Sequence, residues 1–163
     1  MGAAGLAIGA MLAFGGCASE PNEEDSVVSV DQMHEQVTQG VRDVADDLAA
    51  AGFQVPSASG RYVSCGVEPV SSVQYRAVLT VSGEGDPSAQ VERAAQALVG
   101  SGWKVTDSGT HAGEAWSNLE RDPITASVRV SDSTISVGVV HPCIEADRDV
   151  VDEALRKTDK IIG

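Results

Sequence analysis

The side chains in this sequence best suited to chemistry are three cysteines, Cys17, Cys65 and Cys143, and three histidines, His34, His111 and His141. No CxxC pair and no Cys/His cluster of zinc spacing occurs, so neither a metal nor a cofactor is expected. The nucleophile patterns GxSxG and SxxK, the zinc-protease pattern HExxH and the phosphate-binding P-loop are also missing. His34 falls at the edge of a helical apolar stripe and reads as an interfacial helix residue. His111 stands in a polar loop, Ser108 to Glu114, without a partner nearby in sequence. His141 is expected to face inward beside Pro142 and Cys143, as a neutral ring bonded to backbone. Asp46, Asp47 and the run Glu145, Asp147, Asp149, Asp152, Glu153 lack the glycine and the terminal glutamate of a calcium loop. Acids near a helix start suit the helix dipole instead. Trp103 and Trp116 are read as core packing rather than as a pocket lining. No catalytic residue is assigned, and the chain is not expected to be an enzyme.

The first cysteine has a different context. MGAAGLAIGAMLAFGGC is an uncharged apolar stretch that ends in small residues and Cys17. It is short and weak for a membrane-spanning helix, which needs about 20 strongly apolar residues. It fits the apolar region and small-residue cleavage site of a secretory signal. Residues 1–16 are therefore expected to be a signal peptide. The run Phe14-Gly15-Gly16-Cys17 resembles the bacterial lipobox, in which a peptidase cuts before a lipid-modified cysteine. It departs from that pattern in carrying Phe14 where leucine is usual and in having no Lys or Arg before Cys17. The alternatives are an ordinary cleaved signal or a short apolar helix. Residues 17–26, polar and acidic with no apolar pattern, are expected to form a tether between lipid and fold.

Cysteine arithmetic follows. An odd count in an exported protein leaves one thiol to explain. Lipidation of Cys17 would remove it, leaving Cys65 and Cys143 to pair in an oxidising compartment. Alternation places Cys143 on the face of Ile135, Val137, Val139 and His141, and Cys65 on that of Val63 and Val67, so both are expected to point inward. The other reading is two free, buried cysteines.

Charge limits the partners. Of 24 acids and 11 bases, residues 20–52 hold nine acids against Arg42 alone. A net charge of −13 repels phosphate backbones, so no nucleic acid is expected. The same balance gives no basic patch for docking on anionic headgroups either. Contact with a membrane is therefore assigned to the lipid.

The elements that must carry these residues are legible in part. Met33, Val37, Val41, Val44, Leu48 and Ala51 recur at helical spacing, with Ser29 and Gln32 as a capping box and Gly52 as a left-handed stop. After a Gly/Ser/Pro-rich stretch, Val73, Tyr75, Ala77, Leu79 and Val81 alternate as a strand. Asp86-Pro87 opens a second helix with Val91, Ala94, Ala95 and Leu98 on one face. Residues 124–131 and 134–141 read as a hairpin, and 146–159 as a short helix. Leu48 to Val55 matches Leu98 to Val105 in pattern: a helix ends on glycine, and an aromatic, a polar residue and valine follow. Two α-β-β units would account for this, as would the generic look of such a junction. The fold class expected for residues 27–163 is a single α+β domain, a two-layer sandwich with helices on one face of an antiparallel sheet.

Leader, FGGC, acidic tether and small α+β domain together resemble the small cell-surface lipoproteins of actinobacteria. The resemblance is specific over residues 1–26 and architectural beyond. It implies lipid modification of Cys17, with diacylglycerol and palmitate-type chains, and a place on the extracytoplasmic face of the cell membrane. It carries over no active site. The expected function is a non-catalytic binding or accessory module whose ligand is a small molecule, a lipid or an envelope protein. The alternative is an extracytoplasmic enzyme of hydrolase type.

Overall fold

The computed structural model describes residues 28–66, 71–131 and 134–163. Residues 1–16, expected to be a signal peptide, and the expected tether 17–26 with Cys17 lie outside the described residues. In chain order the elements are α1 (Val30–Ala50), β1 (Gln54–Ser64), β2 (Ser72–Ser82), α2 (Pro87–Gly100), β3 (Lys104–His111), β4 (Glu114–Arg121), β5 (Ile124–Ser131), β6 (Thr134–Val140), β7 (Ile144–Glu145), α3 (Arg148–Ala154) and β8 (Thr158–Ile162).

Local rules set the helix ends. Ser29 accepts a hydrogen bond from the Gln32 backbone N–H at 3.2 Å, and Gln32 Oε1 accepts from Ser29 N–H at 2.9 Å, closing the capping box. Asp86 caps α2 by accepting from Ala89 N–H at 3.0 Å. Both helices stop the same way. Gly52 and Gly102 take φ of 87° and 94°, a conformation costly for other residues, and the next N–H returns to Leu48 or Leu98. The aromatic that follows each glycine, Phe53 or Trp103, is buried, and an arginine guanidinium lies over its ring. Arg93 sits 4.9 Å from the Phe53 centroid and Arg121 4.7 Å from that of Trp103. The sequence echo is thus a repeated structural junction.

All strand pairs are antiparallel, and the sheet runs β3-β4-β5-β6-β2-β1-β8, with β7 pairing the start of β2. The units α1-β1-β2 and α2-β3-β4 stand toward opposite ends, and the β5–β6 hairpin fills the middle. Helices α1 and α2 cover one face. The apolar side chains of that face, Val73, Tyr75, Ala77, Leu79 and Val81 of β2 with Val128, Val137 and Val139, are fully buried against Met33, Val37, Val41, Val44 and Leu48. The expected α+β sandwich, with helices on one face of an antiparallel sheet, is what the chain adopts.

Three segments differ from expectation. The Gly/Ser/Pro-rich stretch after α1 is the continuous strand β1, whose inward residues are Ala58, Gly60 and Tyr62. The polar loop around His111 is the β3–β4 hairpin, turned at Ala112-Gly113, with β3 exposed along its whole length. The helix expected over 146–159 stops at Ala154, and the chain continues into β8 beside β1. No helix among the described residues is long and apolar enough to cross a membrane.

Candidate functional site

A connected group of polar side chains forms where α1, β1, β2 and β8 meet. His34 projects from the second turn of α1. Tyr62 and Tyr75 are paired across β1 and β2, and Asp159 comes from β8 opposite Gly60. Asp159 Oδ2 lies 2.9 Å from His34 Nε2 and accepts the Tyr75 hydroxyl at 2.8 Å. The Tyr62 and Tyr75 rings stand edge-on with centroids 4.8 Å apart, and His34 meets Tyr75 at 4.6 Å and Tyr62 at 6.1 Å. Gly60 makes this possible, since a Cβ there would overlap the Tyr75 hydroxyl and ring. Small residues in β1 are thus the counterpart of large ones in β2.

Electrostatics moves both phenols away from reactivity. Burial, followed by the Asp159 and Asp31 charges, pushes Tyr62 up to about 12. Burial, then the hydrogen bond to Asp159 and that carboxylate's charge, raises Tyr75 further still. A tyrosine serving as a base or nucleophile needs the opposite shift. The folded values lie above the unfolded one, so the stabilisation is complete below pH 10.0 and disappears as pH rises toward about 12. Tyr62 and Tyr75 are the only tyrosines in the chain. Tyrosinate absorbance should therefore stay silent in the folded protein well past pH 10.0 and emerge together with alkaline unfolding. A titration with midpoint near 10, without loss of fold, would contradict the cluster.

Comparison with known proteins adds the fold but no chemistry. No protein-family model matches the chain, and no curated protein does. A DUF4853 family protein from Actinomyces odontolyticus aligns with a TM-score of 0.51 at 18% identity, over 76% of this chain and 72% of that one. The two share a fold. The "putative lipoprotein LppA" from Mycobacterium tuberculosis aligns with a TM-score of 0.48 at 11% identity, over 78% of this chain and 83% of that one.

Other residues singled out in the sequence are dispersed. His111 ends β3, exposed at the hairpin turn. His141 is buried with Nδ1 2.7 Å from the Pro142 carbonyl, and its Nε2 has no partner among the described residues. The three histidines thus sit on α1, at the β3–β4 turn and after β6, and no group able to hold a metal occurs among the described residues. Trp103 is core, and Trp116 is half-buried on the outer face of β4.

Cys65 and Cys143 are joined by a disulfide, with Cα atoms 6.2 Å apart. Their inward placement is not what the structure has. Tyr62 rather than Val63 faces the core, so Cys65 follows the outer face and is half-buried. β6 ends at Val140, before Pro142, and Cys143 is exposed, its Sγ 3.8 Å from Gln74 Oε1 on β2. The bridge spans the N-terminal end of β2 from one flanking strand to the other.

A cleft of about 390 Å³ lies between α1 and the β4–β5 turn. Its charged members are Glu35, Asp43, Arg121 and Asp122. Asp43 Oδ2 accepts from Arg121 at 2.8 Å, which ties α1 to the sheet over Trp103. From the sequence, His34 is expected only as an interfacial helix residue, and Tyr62, Tyr75 and Asp159 are missed as its partners. The one signal available is Tyr75, on an inward strand position where a buried hydroxyl needs a partner; Tyr62 gives none, because Val63 and Cys65 are expected to face inward.

Proposed function

We propose that this chain is an extracytoplasmic protein held to the cell membrane by lipid on Cys17, and that its α+β domain is a non-catalytic binding or accessory module. The observation that carries the reading is the Cys65–Cys143 disulfide. Such bonds persist in oxidising compartments. This one uses two of the three cysteines, leaving Cys17 at the end of the apolar leader after Gly15-Gly16. The non-catalytic half is supported by the His34–Asp159–Tyr75 group. The Tyr75 hydroxyl and His34 Nε2 both engage Asp159 Oδ2, and the phenols of Tyr62 and Tyr75 are driven away from ionisation.

Mass spectrometry of the native protein should find a mature chain that starts at Cys17 and carries diacylglycerol. Cys17→Ala should move the protein out of the membrane fraction. Retention as firm as wild type would sink the anchor. The domain should turn over no ester, peptide, glycoside or phosphate substrate. Turnover abolished by His34→Ala or Asp159→Asn, with the fold intact, would overturn the non-catalytic reading.

A further inference from the structure

The sheet face opposite the helices carries a charge arrangement that packing does not explain. On it, Arg61 of β1 stands directly across from Arg76 of β2. On the other side Arg61 faces Thr158 of β8, and Lys160 pairs with Ser59 one pleat along. Like charges facing each other across a strand pair are destabilising. Here three of the 11 bases of a chain of net charge −13 are gathered on adjacent strands. All three are exposed, and none has an ion-pair partner among the described residues. The one acid of β8, Asp159, sits between Thr158 and Lys160 with its Oδ2 on the helix face. There Tyr75 and His34 hold it. The acid that could neutralise the patch is thus committed elsewhere.

The three cations rim a depression of about 640 Å³ to which Ser59 and Thr158 contribute hydroxyl donors. Two guanidinium forks, an ammonium and two hydroxyls line one hollow, and Asp159, the acid in its lining, has its Oδ2 engaged by Tyr75 and His34. These donors match the oxygens of a phosphate group. We infer that this face binds a phosphate-bearing ligand between Arg61, Arg76 and Lys160. The surrounding negative charge disfavours a long polyanion, so the ligand presents one or a few phosphates. This inference deepens the reading of the domain as a binding module and rests on it.

The test is titration of the full-length protein in detergent with inorganic phosphate and pyrophosphate. Melting is measured in parallel on vesicles of phosphatidylglycerol and of phosphatidylcholine. Saturable binding that weakens with salt is expected, reduced at least tenfold by Arg61→Gln or Arg76→Gln. Arg129→Gln, on β5 with its Nε donating to Ser127, should leave it unchanged. Without ligand, Arg76→Gln should melt no lower than wild type, because it relieves repulsion; a purely structural arginine would lower the melting point. Stabilisation on phosphatidylglycerol only, lost in Arg61→Gln, would identify a lipid headgroup as the phosphate source. Binding of soluble phosphate would identify a free ligand. Absence of both, or binding indifferent to the two arginines, overturns the inference. The soluble titration does not depend on the fate of Cys17, so its failure is distinguishable from failure of the anchor.

Discussion

Replacing Gly60 by alanine should destabilise the domain by about 3 kcal/mol, a large effect for one methyl group on a strand. Alanine is ordinarily an acceptable strand residue, and the backbone of Gly60 needs no positive φ. The cost arises from Tyr75, which is fully buried and has its ring over the glycine. The ring cannot retreat cheaply, because Tyr62 and His34 hold its faces and edges and Asp159 holds its hydroxyl. Displacing it therefore loosens α1, β1, β2 and β8 together. Two readouts check this: a melting temperature lowered by several degrees, and tyrosine ionisation falling back toward 10.0 in whatever remains folded. A Gly60→Ala protein that melts like wild type would show that the tyrosine does not sit where it is placed here.

Reduction of the disulfide is the second large effect. The bridge closes a segment with a sequence separation of 78, worth about 4 kcal/mol in the chain-entropy account. For a domain of this size that corresponds to a melting temperature lower by about 10 °C. Secondary structure should survive, since the strands it joins are held through β2 by continuous ladders on both sides. Exposure of Cys143 makes the bond open to reductants without prior unfolding. Cys65→Ser/Cys143→Ser should reproduce the loss. An unchanged melting temperature in both experiments would mean that the bridge constrains little.

How far the sequence disclosed this molecule can be judged from particular strands. β2 was legible because every inward residue from Val73 to Val81 is apolar, and the odd Val78 proves to be an exposed outward residue. α1, α2 and the β5–β6 hairpin were legible for the same reason. β1 was not, because its inward positions Ala58 and Gly60 are small to admit a tyrosine from the next strand, which erases the apolar alternation. β3 has no buried residue and so no pattern to detect. β8 is short and directly follows α3, so its apolar residues blend into the helical ones. The polar cluster and the basic face were hidden for a related reason. Arg61, Arg76 and Lys160 are far apart in sequence, and only strand order makes them neighbours. No basic patch is expected from the charge balance, yet strand order gathers Arg61, Arg76 and Lys160 into one.

That strand order also dictates a sequence of events in time. β1 is the first strand the chain supplies, and its partners are β2, available at once, and β8, the last strand described. β2 in turn waits for β6 on its other side, and Cys65 waits for Cys143. A nascent chain delivered N-terminus first can form the α1-β1-β2 unit early, but both flanks of that unit stay open until the distal half arrives. Such long-range pairings make for slow folding, because loop closure precedes the contacts that reward it. During that interval the β1 edge is available to any other extended chain. An oxidant acting before residue 143 emerges finds no correct partner for Cys65. Pulse-chase trapping of thiols should therefore find the native bridge only in full-length chains, and a chain truncated before β8 should be kept soluble only by chaperones.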